Sequence, residues 1–332
     1  MSDNIEKPIN KCAKDQSISL LRFFAMAAII SCHICQAQGI WAAWWLNVGV
    51  QVFLLISGFL YGQRAGVARC FAWLVRRFKK IWIPFAIAAT GILVADVLSG
   101  VVTVSVRDVL LGLTCIRSGH IPNGAHLWYV SVALLCYLIT PVLYTMRTRF
   151  GIASLLVPLA TLAVLGGYIV PSGFWTVVYI VGFILGSMIR DRAEDERSVM
   201  GGGALFSGAC AIGLTGLVAL GWLDFQIDSI GYVLMHMALG VLCFCLVRWI
   251  LKCSSFRPGI VLRNILKFSD TYSYEIYLTH QVLILGAFSV FKIPGIPLWA
   301  AVLICLCWSL LSGVLLHRIA DMIEKVLSKV RS

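Results

Sequence analysis

Charged residues are scarce in this chain. They make up 13% of its 332 residues, whereas soluble domains carry about 25%. Hydrophobic residues reach 60%, and the mean hydropathy is +0.91. So few charges exclude a soluble globular protein and predict a polytopic membrane protein.

Acidic residues are the scarcer sign, with 15 Asp and Glu against 27 Lys and Arg and a net charge of +12. In a soluble protein this excess would suggest nucleic acid. In a membrane protein the cytoplasmic loops carry such an excess, so we expect no nucleic-acid partner. A polyanionic cytosolic ligand is a second explanation for the cations.

Metal motifs, repeats and low-complexity tracts are also absent from the sequence. The 12 cysteines are scattered mostly through apolar segments, and pairs such as Cys32-x-x-Cys35 have no second pair at zinc-finger spacing. We therefore expect no metal site. The polar start, 1–16, predicts a cytoplasmic tail rather than a cleavable signal peptide.

Ten apolar stretches approach the 20 or so residues that a transmembrane helix needs. The predicted fold is all-α, a polytopic bundle of about ten transmembrane helices forming one domain over residues 1–332. The fifth and sixth stretches could instead form a re-entrant pair. The expected spans are Ser17–Gln38, Trp45–Arg64, Lys80–Ser99, His126–Met146, Ile152–Pro171, Phe174–Arg190, Gly202–Trp222, Ile230–Ile250, Tyr272–Phe291 and Leu298–Ile323.

The distribution of Lys and Arg orients this bundle. Nearly all of them fall in loops on one side, while Arg107, Arg117 and Lys292 lie on the other. Since cytoplasmic loops carry the cations, both termini are predicted to be cytoplasmic. On that side the amphipathic segment 252–270 is expected to lie along the inner membrane surface.

The first span carries two ionisable residues, Arg22 and His33. Even the mildest scale puts a buried charge in hydrocarbon at about 2.5 kcal/mol, so such residues usually have a function. Eleven residues are about three helical turns, which places both on nearly one face, roughly 16 Å apart. The alternative for His33 is a hydrogen bond between helices. The pair favours a polar cavity within the bundle.

The ninth span carries His280 at a depth that approaches that of His33. Tyr277 and Ser273 share its helical face. Glu275 lies off that face, and we expect it to be an interfacial carboxylate paired with a nearby Lys or Arg. His236 is expected to be structural.

Three further groups could serve the same cavity. Ser57, with Gly58, lies near mid-depth in the second span and either packs helices together or narrows a tunnel wall. His126 and Trp128 either belong to the interfacial aromatic belt or face an acceptor sugar. A cationic cluster either marks the cytoplasmic side or binds phosphates, and it comprises Arg76, Arg77, Lys79 and Lys80.

Together these features resemble acyltransferase family 3, the integral membrane acyltransferases that modify bacterial glycans and other acceptors. The likeness extends over nearly the whole chain, and the spacing of Arg22 and His33 is its most specific element. The family pattern has two arginines three positions apart. In this chain the corresponding pair is either Arg76 with Lys79 or Arg77 with Lys80. The other matching stretches are Gly49–Phe59, ending in Ser-Gly-Phe, His126–Tyr129 and Ser273–His280.

The resemblance implies a stand-alone enzyme of the bacterial inner membrane with cytosolic acyl-CoA, usually acetyl-CoA, as donor and no permanently bound cofactor. The acceptor would be a hydroxyl of a cell-envelope glycan or lipid-linked sugar. His33 would act as general base or as a covalent acyl carrier. Arg22 would hold CoA or stabilise negative charge, and the cationic cluster would bind the CoA phosphates. Tyr277 and His280 would orient groups at the reaction centre.

A different class of function is a polysaccharide exporter or proton-coupled transporter, because intramembrane ionisable residues also mark transport paths. The sequence shows neither an inverted repeat nor a matched pair of broken spans, features that many secondary transporters have. Binding of CoA would discriminate between the two classes.

Overall fold

The computed structural model describes residues 15–61, 70–100, 105–115, 118–158, 161, 174–191, 196–224, 229–254 and 256–329. Within these ranges the chain is all-helical and contains no strand. Short 3-10 turns lie at Ser118–His120, Ala125–Leu127, Ile152–Leu155, His280–Leu283 and Val290–Lys292. The α-helices are α1 (Gln16–Ala37), α2 (Ala43–Leu46), α3 (Val48–Tyr61), α4 (Cys70–Ser99), α5 (Val106–Leu113), α6 (Trp128–Phe150), α7 (Phe174–Asp191), α8 (Glu196–Ala219), α9 (Ile230–Cys253), α10 (Ile260–Thr279) and α11 (Leu298–Lys329).

Seven of the described helical segments are long and apolar enough to cross a membrane. They are α1, α2 together with α3, α4, α6 with the turn before it, α8, α9 and α11, and they match seven of the ten predicted spans. The apolar part of α7, Tyr179–Arg190, is shorter and falls in the sixth predicted span. The fifth, Ile152–Pro171, lies mostly outside the described residues. A multi-span helical protein is therefore confirmed.

The predicted ninth span, Tyr272–Phe291, is not one helix. Helix α10 begins well before it, at Ile260, and ends at Thr279. A 3-10 turn follows, and the chain then bends at Gly286, where a Cβ atom would lie 2.5 Å from the Val282 carbonyl oxygen. The second half of the amphipathic segment 252–270 is thus the start of α10 rather than a separate surface element.

Helix α4 also departs from the prediction, because it starts at Cys70 rather than near Lys80. The cationic cluster therefore lies within the helix, in its first turns, and not in a loop before the span. A continuous helix gives each of the four cations a fixed direction, and only some of them face the bundle.

Helices α3 and α7 pack in backbone contact through two glycines. A Cβ atom at Gly58 would lie 1.9 Å from the Phe183 carbonyl oxygen, and one at Gly186 would lie 2.2 Å from that of Leu55. Small residues allow this approach in membrane bundles. Gly58 therefore has the packing role that was one of the two alternatives for the Ser57–Gly58 pair.

Charged groups gather at one end of the bundle around Arg248, which is only 2% exposed. Its guanidinium donates to the carboxylates of Asp15 and Glu196 and, at 2.8 Å, to Ser17. Burial raises the pKa of Asp15, but the Arg248 charge and the Ser17 hydrogen bonds outweigh it, so the pKa stays below its ordinary value. This end, called the basic end below, joins the first turn of α1 to the start of α8 and the last turns of α9.

Candidate functional site

Three imidazoles meet at the opposite end of the bundle. His33 lies in α1, His126 lies in the 3-10 turn before α6, and His280 directly follows Thr279, the last residue of α10. The ring centroids of His33 and His280 are 5.1 Å apart, and those of His126 and His280 are 5.2 Å apart. His280 is fully buried and His126 is 4% exposed, while His33 is half-buried. We call these three residues the histidine cluster.

Helices α1 and α10 run parallel, and two contacts set their register. Towards the basic end, Arg22 Nη1 donates to Asp270 Oδ1 at 3.0 Å, and Ser19 donates to Asp270 Oδ2 at 2.5 Å. Roughly three turns further along, His33 meets His280. These contacts show that the two helices run in the same direction, and the ten residues from Asp270 to His280 nearly match the eleven from Arg22 to His33.

Backbone carbonyls hold two rings of the histidine cluster. His280 Nδ1 donates to the Tyr277 carbonyl at 2.7 Å, and His126 Nε2 donates to the Leu278 carbonyl at 3.1 Å. Both carbonyls belong to the last turn of α10, where helical acceptors lack intrahelical donors. The second nitrogens, His280 Nε2 and His126 Nδ1, are buried and have no hydrogen-bond partner among the residues that the structure describes.

The third ring has a side-chain partner. His33 Nδ1 donates to Gln36 Oε1 at 2.7 Å, one turn further along α1. All three imidazoles therefore use one nitrogen to reach an oxygen that only accepts. No group of three or more His, Cys, Asp or Glu among the described residues is arranged to hold a metal ion.

Tyr277 completes the cluster from α10. Its hydroxyl donates to the His126 carbonyl, and its ring centroid lies 5.8 Å from that of His126 and 5.7 Å from that of His280. The structure thus brings together four of the predicted residues: His33, His126, Tyr277 and His280. His126 is buried among them rather than placed on an open surface.

A tethered loop carries His126 to this position. Asn123 donates to the Asp96 carboxylate of α4 at 2.5 Å and adopts a left-handed backbone conformation, with φ of 49°. The Ser118 hydroxyl donates to the Leu127 carbonyl at 2.6 Å. Because Asp96 is fully buried, this tether fixes the loop against α4.

Tyrosines lead from the histidine cluster towards the basic end. The Tyr129 ring lies 5.2 Å from that of Tyr277, and the Ser57 side chain lies beside both Tyr129 and Tyr137 of α6. The Tyr137 ring lies 5.8 Å from that of Tyr61, at the end of α3. Since Tyr129 and Tyr137 are roughly 12 Å apart along α6, this series covers much of the distance between the two ends.

Arg77 stands at the far end of the tyrosine series. Its guanidinium lies 3.6 Å from the centre of the Tyr61 ring and 6.0 Å from that of Tyr137. Arg77 and Lys79 are half-buried, whereas Arg76 and Lys80 are exposed. Of the four predicted cations, Arg77 is the one that the structure joins to the path leading to His33.

Trp128 lies beside the cluster rather than in it. It is half-buried, and its ring centroid is 4.5 Å from that of Tyr179 in α7 and 6.4 Å from that of Tyr129. The tryptophan therefore packs α6 against α7, next to a residue of the tyrosine series.

Glu275 and His236 are two further titratable residues whose roles were predicted from the sequence. Glu275 is 7% exposed and accepts a hydrogen bond from His317 Nδ1 at 2.9 Å, so its partner is a histidine of α11 and not a Lys or Arg. His236 Nδ1 lies 2.7 Å from the Tyr232 carbonyl oxygen and Nε2 contacts the Trp44 carbonyl oxygen, so the ring donates to the backbone. These backbone contacts agree with a structural role for His236.

Sequence reasoning missed several residues of the site: Gln36, Asp270, Tyr129 and Tyr137. Gln36 was detectable, because it is a polar residue three positions after His33 in an apolar helix. An acidic partner for Arg22 could also be expected, because an unpaired charge within a membrane span is energetically costly. Tyr129 ends the matching stretch His126–Tyr129, although no role was predicted for it, and nothing in the sequence selects Tyr137 from the other aromatic residues of the chain.

Comparison with known proteins gives one match. A family model described as an acyltransferase domain covers residues 15–318. No curated protein matches, and neither does any solved structure. The matched region contains the histidine cluster, the tyrosine series and the cations of α4.

Proposed function

Because the chain belongs to acyltransferase family 3, we propose that it transfers an acyl group, acetyl in the expected case, from cytosolic acyl-CoA to a hydroxyl of a cell-envelope glycan or lipid-linked sugar. The observation that carries this proposal is the continuity from Arg77 through Tyr61, Tyr137 and Tyr129 to the histidine cluster. It offers a cation at one end of the bundle and a general base at the other.

The donor would enter at the basic end. The Arg77 guanidinium can pair with a CoA phosphate through two parallel hydrogen bonds, and Lys80, one turn further along α4, adds a point charge. Of the two candidate pairs, this geometry favours Arg77 with Lys80 over Arg76 with Lys79. The thioester arm would then extend along the tyrosine series.

The chemistry would take place at His33, the half-buried member of the histidine cluster. As general base, its free ring nitrogen takes the acceptor hydroxyl proton while the hydroxyl oxygen bonds to the thioester carbonyl carbon. The carbon–sulfur bond then breaks, and the leaving thiolate takes the proton from the imidazolium. The alternative is that His33 accepts the acyl group itself and passes it to the hydroxyl.

Arg22 receives a different role from the one expected of it. Its guanidinium is engaged by the buried Asp270 carboxylate, so we assign it to holding α1 against α10 rather than to binding CoA. In that role it places His33 beside His280, without touching the substrates.

Family membership favours this reaction over export or proton-coupled transport. The test is mass spectrometry of surface glycans from cells that contain the wild-type protein, lack it, or carry His33→Ala. We expect an acyl mass increment with the wild type alone. An increment that persists with a folded, membrane-inserted His33→Ala protein would contradict the proposal. Thermal-shift titration with CoA checks the donor separately, because a ligand bound to the native state raises the midpoint.

A further inference from the structure

The hydrogen bond between His33 and Gln36 determines which nitrogen of His33 can react. Gln36 Oε1 is a carbonyl oxygen and can only accept, so the proton of neutral His33 is on Nδ1. The lone pair is therefore on Nε2. Both residues lie in the last turns of α1, three positions apart on one helical face.

A tautomer fixed in this way matters for a base. In solution a neutral imidazole exchanges its proton between the two nitrogens, and only one of them faces the reacting hydroxyl in a rigid site. A second group that holds the ring in one tautomer and orientation is the usual solution in histidine-dependent acyl transfer. In this chain Gln36 is the residue in hydrogen-bond contact with His33 Nδ1.

The other two imidazoles follow the same arrangement, with one nitrogen donating and the other left as an acceptor. His126 and His280 each donate one N–H to a carbonyl of the last turn of α10 and leave the second nitrogen as an acceptor. Neither ring therefore offers an N–H to His33, so a lone pair on His33 Nε2 has no donor from the other two imidazoles. A hydroxyl group, which can donate, is the kind of group that suits this cluster.

From this geometry we infer that Gln36 is a positioning residue for acyl transfer, which holds His33 in the Nδ1–H tautomer with Nε2 directed to the acceptor hydroxyl. The inference rests on the proposed function, because it assigns a task to Gln36 within that reaction. It extends the proposal by naming the reactive atom of His33. It applies equally to the general-base and the acyl-histidine routes, since both use the free nitrogen.

Among the described residues no charged side chain lies close to the His33 ring, which makes the assignment testable by pH. The titratable rings that face it from the packed elements are those of His126 and His280, with the Tyr277 hydroxyl behind them. The ion pair of Arg22 and Asp270 lies about 16 Å away towards the basic end. A new carboxylate at position 36 would therefore be the nearest charge to the ring.

The test uses inverted membrane vesicles, which expose the cytoplasmic face and retain the endogenous acceptor. The rate of transfer of labelled acetyl from acetyl-CoA is measured against pH for wild type, Gln36→Glu, Gln36→Leu and the control Gln38→Glu. Gln38 is exposed, and its amide reaches only the neighbouring Ala37 carbonyl, at 3.5 Å. The control thus adds the same charge two residues away without contacting His33.

We expect Gln36→Glu to remain active and to move the acid limb of the pH–rate profile up by about one pH unit or more. The new carboxylate stabilises the imidazolium, so a higher pH is needed to free the base. Gln36→Leu should slow transfer at least about tenfold without raising the limb. Gln38→Glu should follow the wild type, because its exposed charge is screened.

Three results would overturn the inference. They are an unmoved acid limb in active Gln36→Glu vesicles, an equal displacement by Gln38→Glu, and a folded Gln36→Glu protein that is inactive at every pH. If Gln36 had only a structural role, its substitution would lower the rates. A carboxylate at position 36 would then move the acid limb no more than a carboxylate at position 38.

A second readout needs no substrate and separates the two proposals. Purified protein labelled with ¹⁵N-histidine reports the protonated nitrogen of His33, assigned by difference from His33→Asn. We expect Nδ1 protonation in the wild type and a mixture of tautomers in Gln36→Leu. The same tautomer ratio in both proteins would contradict the proposed role of Gln36. Wild-type vesicles that transfer no acetyl would instead count against the proposed function.

Discussion

Arg22 Nη1 lies 3.0 Å from Asp270 Oδ1, and this ion pair joins α1 to α10. The two helices run parallel to each other from the ion pair as far as the histidine cluster. The Asp270 side chain is 2% exposed and that of Arg22 is 22% exposed. Setting the register between two helices is the best-attested use of such an ion pair. Here the register is the one that brings His33 of α1 to His280 of α10.

Removal of Arg22 should be costly because it leaves the Asp270 carboxylate buried and without its guanidinium partner. We expect Arg22→Ala to lower the free energy of unfolding by about 3 kcal/mol, the low end for a broken buried pair since Arg22 is partly exposed. The double variant Arg22→Ala, Asp270→Asn should recover more than half of that loss. Unfolding of the purified proteins in detergent measures both values, and strictly additive effects would refute the coupling.

Loss of the His280 ring should impair the reaction while the fold survives. We expect His280→Asn to reduce acyl transfer by at least about tenfold, because His280 faces His33 and lies at the junction of α10 and its 3-10 turn. The matched control is His317→Gln, which keeps a hydrogen-bond donor for Glu275 and lies outside the histidine cluster. Equal transfer by the two variants would show that the His280 ring takes no part in the reaction.

The cations of α4 should differ in their effects on the donor. Arg77 packs on Tyr61 at the entrance of the tyrosine series, whereas its neighbour Arg76 is exposed. Arg77→Ala should raise the KM for acetyl-CoA about tenfold, the loss of one charge-assisted phosphate contact. Arg76→Ala should change it less than about threefold. The initial rates of membrane vesicles measured against acetyl-CoA concentration decide between them, and a larger effect at Arg76 would reverse the assignment.

The contact between α3 and α7 should not tolerate a side chain at Gly58. A Cβ atom there meets the Phe183 carbonyl oxygen at 1.9 Å, so Gly58→Ala must separate the two helices. We expect the variant to lose most of its folded yield, as judged by size-exclusion chromatography.

Gly91→Ala is the control for this change. Apart from the adjacent residues and backbone of α4 itself, no atom of the described residues lies within 4 Å of the added Cβ, and alanine is the better helix former by about 1 kcal/mol. Its yield should equal or exceed that of the wild type. A normal yield for Gly58→Ala would mean that the helices are not in backbone contact.

The features that could be predicted from the sequence are those set by local periodicity and composition. Arg22 and His33 share a face because eleven residues are close to three helical turns, and the parallel direction of the first and ninth spans follows from the alternation of loops. Asp270 and Tyr129 could not be assigned in this way, because they reach the site through contacts between helices distant in sequence.

The break at Thr279 shows a second limit. The stretch 272–291 is mixed in its first half and strongly apolar in its second, and its total apolar content cannot distinguish a continuous helix from one that ends at Thr279. Irregular backbone at membrane depth is tolerated when it is packed within protein. The Nδ1–H of His280 donates to the Tyr277 carbonyl in the last turn of α10. The end of the helix therefore helps to place His280, and a hydropathy profile does not reveal such a contact.

The most direct test of the account is the transfer of labelled acetyl from acetyl-CoA into the endogenous acceptor of inverted membrane vesicles that contain either wild type or His33→Ala. Both proteins must be present in equal, folded amounts. We predict label in the acceptor fraction with the wild type and a loss of at least about a hundredfold with His33→Ala. Label transferred at the wild-type rate by His33→Ala would contradict the central claim that His33 performs the chemistry.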